Sequence, residues 1–182
     1  MSQDLPTTSY ALLGLLTFGD DLTGYELKQR ADRTLRFYWV SPAMSQVYSE
    51  LARLAERGLV RVKGGAGGGA RYRLTARGRT ALQDWLATEP TGFQTLKHPV
   101  ALRLLIGHLV EPARTVEMLE GHLAALEARR EELLVVRKSL SGRDRSGEPF
   151  RYPALVADWG LEYFDGERAI IERLIDRVTV GN

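Results

Sequence analysis

The chain has 182 residues, 44% of them apolar, which is enough for one large domain or for two small ones with packed cores. It has no cysteine and no apolar run near the roughly 20 residues that span a membrane, which excludes disulfides, thiolate metal sites and a membrane partner, so we expect a cytoplasmic protein. The net charge of +2 hides an asymmetry, because the window from Arg53 to Arg79 holds eight Lys or Arg residues against one Glu, a net charge of +7.

The first two elements along the chain are predicted to be helices. The start, MSQDLPTTSY, lacks the basic residues and the apolar core of a signal peptide. Thr8–Phe18 is apolar on nearly all sides, which predicts a helix buried on more than one face. Thr23 precedes Glu26 by three residues, and this spacing is the capping box of a second helix. That helix runs through LKQRADRTL and is followed by an aromatic cluster that ends at Trp39.

A third helix is predicted from Ser41 to Gly58, with Ser41 as its cap and Pro42 at its first position. Apolar residues recur at steps of three and four and mark a buried stripe, namely Met44, Val47, Leu51 and Leu54. The opposite face is polar and carries side chains that suit base edges or phosphates, with Tyr48 at its edge. Its residues are Ser45, Gln46, Ser49 and Arg53. By itself, such a pattern is more often an ordinary surface helix with a solvated face.

A basic β-hairpin is predicted after the third helix. LVRVKGG and ARYRLT alternate apolar residues with cations, as strands do, and the glycine-rich positions 64–69 join them. This tip leads into a strand rather than a helix, which excludes a nucleotide-binding phosphate loop. Helices with short joins and a following hairpin predict a winged helix-turn-helix. Lys63, Arg71 and Arg73 on the wing would contact backbone phosphates or the minor groove, although a solvated basic surface has the same composition.

One more helix and a linker should complete the first domain. Thr75 is predicted to cap ARGRTALQDWLA, with Leu82, Trp85 and Leu86 on the apolar side of that helix. The helix stops near Pro90, and PTGFQ is typical of a linker. We therefore expect a first domain at residues 1–88 and a second at residues 96–182.

The second domain is predicted to be helical. Pro99–Leu109 is short and apolar, Pro112 begins a long helix, and Pro153–Val178 is the last helix, preceded by a mobile polar loop, SGRDRSGEP. The long helix carries an apolar seam that repeats every seven residues, and Arg130 and Arg137 occupy core-type positions in it. Packing within one subunit is an alternative, but the arginines favour a surface shared with a second chain. The predicted dimerisation residues of the seam are Leu119, Leu123, Leu126 and Leu133.

The sequence offers little support for catalysis. The three histidines, His98, His108 and His122, have no partner at metal-ligand spacing. Asp20 and Asp21 sit at a turn, where acids commonly accept hydrogen bonds from local backbone N–H groups. We therefore expect no enzyme, no metal and no cofactor. A winged-helix protein-interaction module without sequence-specific DNA binding is a second alternative, which the basic window disfavours.

Four motifs, in this order, resemble the PadR family of bacterial transcriptional regulators: TSYALLGLL, TGYELKQ, FYWVSPAMSQVYSELARLAERGLV and RYRLTARGRTALQDWL. The resemblance is close over the first domain, whereas the second half is similar only in layout to longer-tailed members. It implies a mainly α fold, with a winged helix-turn-helix, a small β-hairpin wing and a C-terminal helical dimerisation domain. It also implies a homodimer that binds a palindromic promoter site in double-stranded DNA, usually as a repressor.

The resemblance further implies the residues that contact DNA, which are Tyr25, Ser45, Gln46, Tyr48, Ser49, Arg53, Lys63, Arg71 and Arg73. For Tyr25, packing beneath the third helix is an equal alternative. Several relatives release DNA when a phenolic acid or a flat hydrophobic drug binds. The tail of this chain is built differently, so a small-molecule effector is left open. Trp39, Trp159 and Tyr163 are the candidates to line its pocket, although such aromatic residues more often belong to a core.

Overall fold

The computed structural model describes residues 5–19, 21–64, 69–92 and 97–180. The chain divides into two compact units, the first ending at Gly92 and the second beginning at Phe93. None of the described helices combines the length and the hydrophobicity that a membrane crossing requires.

The described part of the first unit contains four helices and a small sheet. The helices are α1 (Thr7–Leu15), α2 (Gly24–Thr34), α3 (Met44–Glu56) and α4 (Ala76–Thr88), and 3₁₀ turns follow α1 at Leu16–Phe18 and α2 at Leu35–Phe37. The strands are β1 (Leu22–Thr23), β2 (Val60–Lys63) and β3 (Arg71–Leu74), which pair antiparallel in the order β1-β3-β2. The β2-β3 hairpin is the predicted wing. Strand β1 was not predicted, because two residues are too few to show an alternating pattern.

The core of the first unit lies between the helices. Leu12 of α1, Leu27 of α2 and Leu51 of α3 are fully buried, and Leu51 belongs to the predicted stripe of the third helix. The Tyr10 ring of α1 stacks on Trp85 of α4, with ring centroids 4.7 Å apart. The prediction for Leu86 is wrong, since this side chain in the last turn of α4 is 69% exposed and α4 reaches the core through Leu82 and its neighbours instead.

Two of the three predicted helix caps are confirmed. The Thr23 hydroxyl accepts a hydrogen bond from the Glu26 N–H at 3.1 Å, and the Glu26 carboxylate accepts one from the Thr23 N–H at 2.8 Å. The Thr75 hydroxyl likewise accepts a bond from the Gly78 N–H at 3.0 Å. Both caps satisfy backbone donors that a helix start leaves without partners.

The predicted cap at Ser41 is wrong. Helix α3 begins at Met44, and its N-cap residue, Ala43, makes no side-chain bond to the helix. The Ser41 hydroxyl instead donates to the Asp32 carboxylate at 2.6 Å. Hydrogen bonds from Lys28 and then from Ser41 hold the pKa of Asp32 below its usual value. A charged acceptor on α2 therefore takes the hydroxyl that was expected to cap α3.

The described part of the second unit is helical. Its elements are α5 (Pro99–Leu105), a 3₁₀ turn at Gly107–Leu109, α6 (Pro112–Ser139) and α7 (Arg151–Val180). One small core joins the three helices through Val100, Leu119 and Ile171. The loop before α7, predicted to be mobile, makes defined contacts, with Asp144 3.2 Å from Arg137 and the Arg143 guanidinium over the Phe150 ring.

The two arginines of the α6 seam have partners within the same chain. Arg130 donates to both carboxylate oxygens of Asp165 at 2.8 and 3.4 Å, and Arg137 donates to Asp158 at 2.6 Å. These bonds raise the pKa of each guanidinium. The arginines therefore give no evidence for a surface shared with a second chain, because α7 supplies their carboxylates.

The leucines of the same seam pack against this chain as well. Leu119, Leu126 and Leu133 are buried and Leu123 is partly buried. Their role in dimerisation stays a prediction. Any such effect would have to act through the packing of the second unit, since three of the four side chains present almost no surface to another molecule.

Candidate nucleic-acid interface

Helix α3 is fixed to the first unit by its buried face. Val47, Leu51 and Leu54 are fully buried, as the periodicity predicts. On the same helix, Glu50 is only 6% exposed and accepts a hydrogen bond from Ser9 of α1, which is 0% exposed. The Arg53 guanidinium lies 3.3 Å from the other Glu50 oxygen. A buried carboxylate needs such partners, and the bond from Ser9 holds α3 against α1. No local sequence pattern identifies Ser9 or Glu50 as partners.

The opposite face of α3 brings together the predicted base-reading residues. Ser45, Gln46, Ser49 and Arg53 are all exposed on this face. The Ser49 hydroxyl donates to the Gln46 carbonyl at 3.0 Å, which leaves its oxygen able to accept. Amide, hydroxyl and guanidinium groups on one rigid helix face can hydrogen-bond to base edges and to phosphates.

Tyr48 lies at the edge of this face, over the start of α2. A Cβ atom added to Gly24 would lie 2.4 Å from a ring carbon of Tyr48, so the close approach of the ring requires glycine there. Tyr25, the next residue, is 57% exposed, and the alternative that it packs beneath α3 is therefore wrong. Both tyrosines are available to a molecule that contacts α3 and the start of α2.

The wing carries four cations on one face. In the β2-β3 register, Lys63 lies opposite Arg71, and Arg61 lies opposite Arg73, so two pairs of like charges face each other directly. All four residues are exposed. Like charges at directly opposed positions destabilise a hairpin, and a bound polyanion relieves the repulsion. The predicted site included Lys63, Arg71 and Arg73 but missed Arg61, which only the register places beside them.

Carboxylates before and within α2 hold the two wing arginines of β3. Arg71 donates to the Asp21 carbonyl at 2.6 Å and lies 3.5 Å from the Glu26 carboxylate, while Arg73 donates to the Asp21 carboxylate. The bond from Arg73 lowers the pKa of Asp21; the backbone bond from Thr23 lowers that of Glu26, with a further contribution from Arg71. A guanidinium has five N–H donors, so each arginine keeps donors for a phosphate.

The turn interpretation of Asp21 is wrong, because its carboxylate serves a strand 52 residues away. Asp20, which was predicted to sit in the same turn, lies outside the described residues, as do positions 65–68 of the wing tip. The arginine contacts of Asp21 are long-range, and no local sequence signal identifies them.

The candidate ligand-binding aromatic residues fall into two groups. Trp159 and Tyr163 lie one turn apart on α7, with ring centroids 6.0 Å apart and ring planes inclined by 26°. Both are about half exposed, so neither belongs to a core within one chain. Trp39 lies in the first unit and is also exposed.

The histidines do not follow the expectation drawn from their spacing. His98 and His122 lie together with Glu167 in the second unit, and one ligand atom from each residue lies within 4.8 Å of the others. His98 immediately precedes α5, His122 lies in α6 and Glu167 lies in α7, so their separation along the chain says nothing about their separation in space. His108, in the 3₁₀ turn, is exposed.

Both halves of the chain match family models. Residues 12–84 match the Transcriptional regulator PadR-like family, and residues 96–178 match a family described as Virulence activator alpha C-term. A search of curated proteins found no significant match.

Solved structures share the architecture over nearly the whole chain. PadR from Bacillus subtilis in complex with operator DNA is 23% identical, with a TM-score of 0.83 over 95% of this chain and 99% of that one. The same protein in complex with p-coumaric acid is 23% identical, with a TM-score of 0.80 over 96% and 99%. The virulence activator AphA from Vibrio cholerae is 18% identical, with a TM-score of 0.74 over 96% and 99%.

At these identities the likeness shows the fold, a winged helix-turn-helix with a helical C-terminal region. Taken with the two family matches, it shows that residues 12–84 form a domain of the PadR-like transcriptional regulators, a family of proteins that are not enzymes, and that the chain has the layout of a longer-tailed member.

Proposed function

We propose that this chain binds double-stranded DNA as a homodimer, at an inverted repeat in a promoter, and represses transcription in the cytoplasm. The observation that carries the proposal is the face of the wing on which Arg61, Lys63, Arg71 and Arg73 form two directly opposed cation pairs. Asp21 and Glu26 offset only part of this positive charge, and the surface adjoins a recognition helix with an exposed polar face.

Each part of the surface has a separate task. The α3 face enters the major groove, where Ser45, Gln46 and Ser49 supply sequence preference and Arg53 contacts guanine or phosphate. The wing cations contact backbone phosphates, which supplies affinity without sequence preference. Tyr25 and Tyr48 contact the backbone beside the groove.

The homodimer is supported by apolar side chains exposed in the second unit. They include Leu102, Leu105, Ile106 and Leu109 before α6, and Leu155, Val156, Trp159 and Ile170 on α7. An exposed apolar surface of this kind marks an interaction site. A two-fold axis through such an interface would set two α3 helices about 34 Å apart, one turn of DNA, and this spacing demands an inverted repeat.

A small aromatic or hydrophobic effector would act on the same dimer. One structural relative is in complex with p-coumaric acid, and the stacked, exposed Trp159 and Tyr163 offer a flat molecule an aromatic surface here. An effector relieves repression if it binds the DNA-incompetent form more tightly than the DNA-bound form.

The first test is the capture of genomic DNA fragments on the purified protein across a range of salt concentrations. We expect a discrete inverted repeat that survives moderate salt, and repression of a reporter placed behind it. Activation of that reporter would refute the repressor role. Diffuse, salt-labile binding would favour the alternative, a winged-helix protein-interaction module without sequence-specific DNA binding.

The second test removes two wing cations by Arg71→Ala with Arg73→Ala. Each lost phosphate contact should lower the slope of log affinity against log salt by about 0.9, so the slope should fall by up to about 1.8. All duplexes should lose affinity alike. The matched control is Arg129→Ala with Lys138→Ala on α6, which removes the same charge from exposed positions in the second unit. If the wing variant keeps the parental slope, Arg71 and Arg73 do not contact phosphate.

A further inference from the structure

Three side chains that the proposed DNA surface does not use meet in the second unit. His98 immediately precedes α5, His122 lies in α6 and Glu167 lies in α7. The Nε2 atom of His98 is 2.7 Å from Oε1 of Glu167, and the Nε2 atom of His122 is 3.4 Å from the same oxygen. The two imidazole rings meet edge to face, with centroids 5.4 Å apart.

The cluster is largely shielded from water. The side chains of His98, His122 and Glu167 are 15%, 24% and 12% exposed. Among the described residues, His122 Nε2 is a buried side-chain nitrogen without a hydrogen-bond partner. Buried polar atoms are nearly always bonded, so an unbonded ring nitrogen 3.4 Å from a carboxylate needs an explanation.

We propose that His98, His122 and Glu167 bind one divalent transition-metal ion, with Zn²⁺ as the best fit. Two imidazole nitrogens and one carboxylate oxygen are a donor set that suits Zn²⁺, and three protein ligands leave a position for water or another small ligand. Donor atoms about 2.1 Å from a tetrahedral ion lie about 3.4 Å apart. The His122–Glu167 distance already has this value, and the His98–Glu167 distance has to widen by about 0.7 Å.

The hydrogen bonding of His98 changes when the ion binds. Its Nδ1 atom accepts a long bond of 3.4 Å from the Ala101 N–H, so the ring proton sits on Nε2 and points at Glu167. Metal binding through Nε2 moves that proton to Nδ1, and the bond to Ala101 is lost.

A cleft of about 540 Å³ provides the entry path. It is lined by His122 together with residues of α5 and α6, among them Val100, Met118 and Gly121. Two arginines also line it: Arg114 is paired with Glu117 at 2.7 Å, whereas Arg103 adds a positive charge that opposes a cation. The carboxylate of Glu167 offsets this charge.

Metal binding would fasten the start of α5 to both long helices. Helix α5 carries Leu102 and Leu105, two of the exposed apolar residues assigned above to the dimer interface. An ion at the site would therefore order a surface used for dimerisation, and this consequence rests on the proposed function. The metal site itself does not depend on it.

The test is direct binding of Co²⁺ and Zn²⁺ to the full chain after treatment with a chelator. We expect one Co²⁺ per chain, with visible absorption bands typical of tetrahedral nitrogen and oxygen ligation, displaced by one equivalent of Zn²⁺. Zn²⁺ should also raise the melting temperature. His122→Gln and Glu167→Gln should each weaken binding by about 100-fold or more, beyond the 10–100-fold typical of residues that only support ligands.

The control is His108→Gln, which removes the remaining histidine from an exposed position close in sequence to α5. It should bind Co²⁺ as the parent does. Far-UV circular dichroism of each variant shows whether its helices persist, and His122→Cys, which keeps a ligand for Zn²⁺, should regain part of the affinity. Absence of Co²⁺ and Zn²⁺ binding by the parent, parental affinity in both Gln variants, or loss of binding in His108→Gln would overturn the proposal. DNA binding is not measured here, so failure of the metal site and failure of the proposed DNA-binding function remain distinguishable.

Discussion

Replacing Ser9 by alanine tests how α3 is held in place. The change removes the hydrogen bond to the buried Glu50 carboxylate, which then keeps Arg53 as its other partner at 3.3 Å. A hydrogen bond to a charged group contributes about 1.5–3 kcal/mol, and loss of the donor leaves a buried acceptor poorly satisfied. We therefore expect Ser9→Ala to lower the free energy of unfolding by about 2 kcal/mol. For a unit of this size, that corresponds to a fall of about 10 °C in melting temperature.

The assay is urea unfolding followed by near-ultraviolet circular dichroism. The stacked Tyr10 and Trp85 rings contribute a signal from the first unit. Ser49→Ala on the exposed face of α3 is the matched control and should change stability by less than about 0.5 kcal/mol. In a Glu50→Gln background, Ser9→Ala should lower the free energy of unfolding by less than it does in the parent, because the acceptor at position 50 is then neutral. A parental midpoint for Ser9→Ala would refute the reasoning.

Two further predictions concern packing and pH. A Cβ at Gly78 would lie 2.1 Å from the Leu59 carbonyl oxygen, so Gly78→Ala should lower the free energy of unfolding by about 1–3 kcal/mol. A Cβ at Gly166 on α7 would have nothing within 4 Å, so Gly166→Ala should raise the free energy of unfolding by about 0.5–1 kcal/mol. Thermal unfolding of the two variants measures both effects. The hydrogen bond from Arg130 lowers the pKa of Asp165, so this pair stabilises the fold above the unfolded-state pKa and ceases to do so as the pH falls through the folded-state value. Arg130→Met should lower the free energy of unfolding by less than about 1 kcal/mol at neutral pH, because the pair is so exposed, and this difference should vanish in strong acid. A difference that persists in strong acid, measured by urea unfolding, would contradict the assignment.

Features that depend on near neighbours in the sequence were predicted well. The buried stripe of α3 follows from helical periodicity, which any environment on one side of a helix produces. The caps at Thr23 and Thr75 join residues three apart, so nothing distant decides them. Ser41 shows the limit of this reasoning. Its hydroxyl bonds to the charged carboxylate of Asp32, nine residues earlier, instead of capping the third helix.

Features that depend on how distant segments meet were missed or misread. The partner of Arg130, Asp165, lies 35 residues further on, and only the packing of α7 on α6 brings the two side chains together. Strand register places Arg61 opposite Arg73, and no local pattern contains that information. The meeting of His98 with Glu167 depends on two helical segments from opposite ends of the second unit.

The order of the strands has a consequence for how copies of this chain avoid one another. With β3 in the centre, β2 forms an edge of the sheet within the described residues, and an edge strand offers open backbone groups on which a foreign strand can align. Along β2, the exposed Val62 stands between Arg61 and Lys63. Two such edges repel each other, which discourages intermolecular β-pairing in a crowded cell. The charge that would draw the wing to DNA also protects the sheet against growth into a fibril.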